Sequence, residues 1–155
     1  MTDRQKLALQ KAASFCAYQE RTVKETRQRL YDWELSEEET GWVLEELKAQ
    51  NYLNEERFAR AFAGGKFRVK KWGRLKIRQE MKLKGVPNDL IQKGLTEIDG
   101  DDYEAVLRDL LEKKIRSMKG DPLAIKLNTV RFALSRGFES DIVWDLLKTM
   151  GVEDE

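Results

Sequence analysis

Apolar positions recur at helical spacing along almost the whole chain. The clearest stripe is Tyr103, Val106, Leu107, Leu110, Leu111, Ile115 and Met118, which share one face at 3.6 residues per turn. Helix starts are marked. Thr22 with Glu25 and Ser36 with Glu39 both have capping-box spacing, in which hydroxyl and carboxylate each satisfy a free backbone N–H. Asn54 and Asp101 or Asp102 are further N-cap candidates, and Pro87 and Pro122 suit a first helical turn. Gly85 and Gly137 suit the left-handed position just past a helix. The pattern predicts nine helices, at 4–19, 22–33, 36–50, 54–70, 73–84, 87–98, 102–118, 122–136 and 140–150. Arg74–Arg78 alternates polar and apolar as a strand would, but the helix formers that follow it, up to Gly85, favour a helix.

The helices fall into threes because the pattern repeats. Leu30, Met81 and Ala133 correspond at steps of 51 and 52 residues, as do Leu35, Val86 and Phe138. Leu44, Leu95 and Leu147 follow, then Leu47, Ile98 and Met150. Each unit reads as a long helix, a short helix, a tight turn with an inserted apolar residue, and a short helix. A period near fifty marks tandem repeats that bury apolar faces against their neighbours. The expected fold is all-α, with repeats at 4–50, 54–98 and 102–150 within one repeat domain.

Composition narrows the function. The 37% charged content exceeds the usual quarter and favours solvated helices. No apolar run approaches the length of a membrane span, and no signal-peptide apolar region follows the N-terminus, so a cytoplasmic protein is expected. Cys16 stands alone, between Phe15 and Ala17, which suits a small buried side chain. There is no histidine, which removes the commonest general base and most zinc sites. Gly64-Gly65-Lys66 lacks the spacing of a phosphate loop, since Phe67 follows the lysine. Neither an enzyme nor a cofactor is expected.

Charge then changes the picture. Residues 57–86 hold eleven Lys or Arg and one acid, Glu80, in a chain whose net charge is only +1. Residues 32–56 hold nine acids against Lys48, and 97–112 hold seven against Arg108. Ordinary solvated helices alternate sign to gain i,i+4 pairs. A segment at +10 without partners repels itself, which points to a surface for a polyanion. On a continuous helix Lys70, Arg74 and Arg78 share a stripe, with Lys71 and Lys82 near its edges and Leu75, Ile77 and Met81 turned inward. Lys66, Arg68 and Lys70 close the preceding helix, where cations also favour the helix dipole. The contact residues expected are Lys66, Arg68, Lys70, Lys71, Arg74, Lys76 and Arg78, with Arg57 and Lys82 beside them. Phe58 and Phe62 read as core, while Phe67 and Trp72 are open between packing and base stacking. Trp33, Trp42 and Trp144 read as packing residues, and Tyr52 and Leu53 as a buried turn.

Three elements in order resemble the RecX family, bacterial regulators of the RecA recombinase. Asn51-Tyr-Leu-Asn-Glu-Glu-Arg57-Phe-Ala59 resembles the family's Gly-Tyr-Leu-Asp/Asn-Asp-x-Arg-Phe-Ala. Trp72-Gly-Arg-Leu-Lys-Ile-Arg-Gln-Glu80-Met-Lys-Leu-Lys-Gly-Val86 resembles its Gly-x-Gly-Pro-x-Arg-Ile-x-x-Glu-Leu-x-x-Lys-Gly-Ile. Arg136-Gly137-Phe138, followed by Ile142, resembles its closing element. Asn51 stands in place of a glycine, Trp72 and Leu75 in place of a glycine and a proline, and Lys76 where arginine is preferred. The resemblance runs from about Ala12 to Leu147 and implies three three-helix units in an elongated, curved array. It also implies a monomeric, non-enzymatic partner of the RecA–single-strand DNA filament that lies in the filament groove and limits its extension or activity. Contact with single- or double-stranded DNA would run through phosphates. A stand-alone helix-turn-helix module is the alternative, but the helix at 73–84 has few Asn or Gln for reading bases. A helical scaffold for an acidic protein partner is the third reading.

Overall fold

A computed structural model describes residues 2–151. Among these, nine α-helices and one π-helical turn form the regular structure, with no strand. The helices are α1 (Asp3–Tyr18), α2 (Val23–Asp32), α3 (Glu37–Ala49), α4 (Glu55–Gly65), α5 (Arg74–Leu83), α6 (Asn88–Leu95), α7 (Gly100–Arg116), α8 (Pro122–Ser135) and α9 (Ser140–Thr149). The π-helical turn, Lys66–Lys70, continues α4.

Local chemistry sets most of the boundaries. Thr22 and Ser36 form the capping boxes expected of them, and Thr2 with Gln5 forms a third at α1. The backbone N–H of Ser36 holds the Glu39 carboxyl below the usual carboxylate range. Asn54 Oδ1 accepts from the Arg57 N–H at 2.9 Å, as an N-cap does. At α7 the cap is Asp99, whose carboxylate accepts from the N–H groups of Asp101 and Asp102. The expected caps Asp101 and Asp102 lie one and two residues inside that helix. Pro122 opens α8, whereas Pro87 precedes α6 and accepts the N–H of Leu90 and Ile91.

The fifty-residue repeat is a repeated helix ending. Glu34, Gly85 and Gly137 all have positive φ, at 63°, 82° and 94°. Each donates its N–H to the residue three before, and the next residue reaches back five. Those longer bonds are Leu35 to Leu30, Val86 to Met81 and Phe138 to Ala133. This is the Schellman arrangement, with its apolar pair between the two ends of the longer bond. All six residues of these pairs are buried. The landmarks read from the sequence are therefore one physical device that recurs at the ends of α2, α5 and α8.

By packing, the chain divides into two compact units. The first runs to Phe62 and takes up Glu80–Gly94; the second comprises Ala63–Gln79 and the chain from Leu95. In the first, α1 packs on α2 and α3 around Ala8, Ala12, Cys16, Leu30, Leu35, Val43, Leu44, Leu47 and Leu53. The small residues of α1 recur every four positions and let its neighbours approach. Burial raises the Cys16 thiol above its ordinary value, so it stays protonated and serves as packing. Gly94 of α6 lies so close to α4 that a Cβ there would stand 2.6 Å from the Ala59 carbonyl oxygen. In the second unit, α7, α8 and α9 pack on one another, and Phe67 and Ile77 are buried with Tyr103, Leu107, Leu111, Val130, Ala133, Phe138, Val143, Leu146 and Leu147.

Candidate polyanion-binding surface

The basic segment does not form the single helical stripe that its spacing suggests. The expected helix over 54–70 is α up to Gly65 and widens into the π-helical turn. Lys71 then adopts φ 56° and ψ 43°, a left-handed conformation that stops the helix. Lys70 and Arg74 are thus on different elements, and the Lys70–Arg74–Arg78 stripe is broken between them. The interior face of α5 also differs. Ile77 and Met81 are fully buried, whereas Leu75 is 44% exposed.

What fixes α5 is a backbone-to-backbone approach. The Gly73 N–H donates to the Arg136 carbonyl at 2.7 Å, and the Leu75 N–H to the Gly137 carbonyl at 3.0 Å. Between them, the Arg74 N–H donates to the Tyr103 hydroxyl at 2.9 Å. Three of the donors that an α-helix leaves free at its start are thus satisfied by the α8–α9 turn and one side chain. α5 begins just after Gly73, a residue with no side chain to cap it. Those three N–H groups are consequently not open to a phosphate.

Arg74 belongs to that structural joint. Its guanidinium donates to Glu139 Oε2 at 3.0 Å and lies 3.9 Å from the centre of the Tyr103 ring. Tyr103 donates its hydroxyl to Glu139 Oε1 and packs between Phe67 and Phe138. Burial, then the bond to Glu139, push the Tyr103 phenol well above its ordinary value. The sequence gives no local signal of this cluster, because its members lie 29, 36 and 65 positions apart.

The other predicted residues sort by exposure. Arg68 and Lys70 are exposed, and Lys66, Lys71, Lys76 and Arg78 are half-buried. Among the described residues, neither Arg68, Lys70 nor Lys71 forms an ion pair. Arg68 lays its guanidinium over Gly64, where a Cβ would come within 2.8 Å of it. Lys66 and Lys76 place their ammonium groups 5.0 and 4.6 Å from the Trp72 ring centre. Arg78 buries its Nε with no partner among the described residues. Arg136 donates to the Lys70 carbonyl at 3.3 Å and lies over Phe132, so it pins the end of the π-helical turn. All of these belong to the second unit. Arg57 and Lys82 belong to the first. Lys82 is exposed, while Arg57 pairs with Glu20 and donates to the Asn51 and Tyr52 carbonyls. Arg57 thus fastens the end of α3 to α4.

The aromatics separate as well. Phe67 is 5% exposed against Tyr103, which removes it from base stacking. Phe58 is buried, as expected of a core residue, whereas Phe62, stacked on it at 5.6 Å, is half-buried. Tyr52 is 38% exposed beside the buried Leu53, so only half of that turn is interior. Among the described residues no group of three His, Cys, Asp or Glu side chains is placed to hold a metal, and no helix is long and apolar enough to cross a membrane.

Fold and surface together define a class: an all-helical protein of tandem three-helix units carrying an acid-free cationic segment. Models of the first, second and third three-helix domains of RecX match residues 8–47, 54–95 and 101–147 in turn. The chain is 34% identical over 145 residues to the regulatory protein RecX of Chromobacterium violaceum, covering 94% of this chain and 91% of that one. It is 32% identical over 136 residues to that of Prosthecochloris aestuarii, covering 88% of each. Against the RecX of Lactobacillus johnsonii it is 34% identical and spans 56% of that protein's length. The crystal structure of RecX from Lactobacillus salivarius has the same fold, with a TM-score of 0.90 at 18% identity over 99% of this chain and all of that one. The chain belongs to the RecX family, whose members carry the name of regulatory proteins.

Proposed function

We propose that this protein regulates a RecA-type recombinase by binding the filament which the recombinase forms on single-stranded DNA. It acts by occupancy rather than catalysis, in the cytoplasm and as a monomer. Seated in the filament groove, it competes with strand pairing and with addition of the next protomer. Family membership supports the regulatory role. The observation that carries the reading is the segment 63–79, which contains seven Lys or Arg and no acid. Arg68, Lys70 and Lys71 are the principal contacts, with Lys66, Lys76 and Arg78 beside them, while Arg74 holds the segment in place. Such contacts supply affinity and register without reading sequence.

The test is co-sedimentation with recombinase filaments, compared with bare single strands and free recombinase, together with the filament's ATPase and strand exchange. Wild type is expected to enter the filament pellet and slow strand exchange. The Arg68→Glu/Lys70→Glu/Lys71→Glu variant should keep its helical content and lose both effects. Undiminished inhibition by that variant would remove this surface from the mechanism.

A further inference from the structure

The last two lysines of the cationic segment, Lys82 in the final turn of α5 and Lys84 just past it, lie in the first unit and take no part in the surface of 63–79. There the end of α5 meets α2. The Lys24 ammonium donates to the Leu83 carbonyl at 3.0 Å, and a Cβ at Gly85 would stand 3.3 Å from the Lys24 Cβ. The left-handed turn after α5 is therefore set hard against α2. An open groove of about 540 Å³ runs along this junction. Lys24 and Arg29 line it from α2 and Lys84 from the end of α5, while Phe15 and Leu83 give it apolar surface.

The charges on its walls are unequally engaged. Glu25 accepts the Thr22 N–H at 3.1 Å and lies 3.8 Å from Arg21, so its charge is already met. Asp32 accepts from the uncharged Gln28 amide at 3.0 Å and keeps its negative charge. Arg29 and Lys84 are exposed, and among the described residues neither forms an ion pair. The Arg29 guanidinium lies 4.7 Å from the centre of the Phe15 ring. A guanidinium laid on a ring keeps the N–H groups along its edge, and these suit phosphate oxygens two at a time. Lys24 spends one of its three donors on Leu83 and keeps the others.

We propose that this groove is a second phosphate-binding site, in the first unit, for the backbone of a nucleic-acid strand, with Arg29, Lys84 and the remaining donors of Lys24 as its contacts. Cations from two elements along an open groove fit a continuous chain of phosphates. Contacts of this kind read no sequence. The choice of a nucleic acid rests on the reading that segment 63–79 meets one, and the groove extends strand binding to the other unit.

The experiment uses the full chain without recombinase, with an end-labelled polypyrimidine strand followed by anisotropy as salt is raised. Arg29→Gln/Lys84→Gln should weaken binding about ten-fold at low salt and lower the log–log salt slope by about one to two. The loss should add to that of the Arg68→Glu/Lys70→Glu/Lys71→Glu variant, as separate sites do. Asp32→Asn keeps an oxygen for Gln28 and removes a charge that repels phosphate, so it should tighten binding about two-fold. An unchanged slope in the double variant overturns the proposal, as do weaker binding by Asp32→Asn and the absence of strand binding by the wild type. If the double variant unfolds, Lys84→Gln alone decides, with about half the loss of slope. Filament capture lost by the double variant while strand binding stays intact would give the groove to an acidic protein surface and overturn the phosphate assignment. A faultless groove variant beside a triple variant that releases the filament would sink the groove and leave the regulatory reading standing. A strand-binding defect in the groove variant, with undiminished inhibition by the triple variant, would support the groove and remove the 63–79 surface.

Discussion

Gly65 and Gly73, eight residues apart, lie in opposite situations. Gly65 has helical angles, φ −65° and ψ −46°, and nothing within 4 Å of where a Cβ would stand. Gly65→Ala should therefore raise stability by about 0.8 kcal/mol, the ordinary helix preference. At Gly73 the same methyl would lie 2.3 Å from the Gly137 carbonyl. Gly73→Ala should cost roughly 1–3 kcal/mol or more, since the obstruction is backbone and cannot rotate away. Urea unfolding midpoints decide both, and a stabilised Gly73→Ala would refute the joint between α5 and the α8–α9 turn. Tyr103 supplies a pH test. Its folded pKa is raised, so its contribution is complete below the unfolded phenol value of about 10 and is lost as pH climbs beyond it. Thermal stability should fall above that pH, and the fall measured from neutral pH should be smaller in Tyr103→Phe.

Among the elements, the left-handed endings of α5 and α8 were legible in the sequence through Gly85 and Gly137. Their determinants are local: a residue that tolerates positive φ, and an apolar residue after it. Glu34 is the exception, a carboxylic side chain at φ 63° where the other two units have glycine. Glu34→Gly should stabilise the protein by about 1 kcal/mol, the cost of a left-handed non-glycine residue. The bond from Arg4 to the Glu34 carbonyl involves only backbone at position 34 and should survive the change. A lower melting temperature for Glu34→Gly would count against the strain. The π-helical turn was not legible. Lys66–Lys70 has nothing in its composition to separate it from an α-helix. The chain turns out at Lys71, and Gly73 then docks on residues more than sixty positions away.

For the molecule as a whole, a net charge of +1 gives no general attraction to a polyanion. Binding should come from local cationic surfaces and be steeply salt-dependent. Between about 50 and 200 mM salt, the log–log slope for single-strand binding should fall by roughly two in the Arg68/Lys70/Lys71 triple Glu variant. An unchanged slope would assign the phosphate contacts elsewhere. At this scale the sequence repeat and the packing differ. Three triplets recur along the chain, yet Ala63–Gln79 packs with the last of them while Glu80–Gly94 packs with the first.

The sequence by itself determined the helical class, the helix boundaries to within a few residues, the fifty-residue period and the location of the cationic segment. All of these depend on neighbours within a few turns, or on charges that no nearby acid can cancel. Tertiary structure alone decided which cations remain available. Arg57 found Glu20, and Arg74 found Glu139 and Tyr103, across separations that spacing does not encode. The same long-range packing buried Phe67 and left Trp72 beneath two lysines, because core formation depends on what meets in space and not on which residues alternate along the chain.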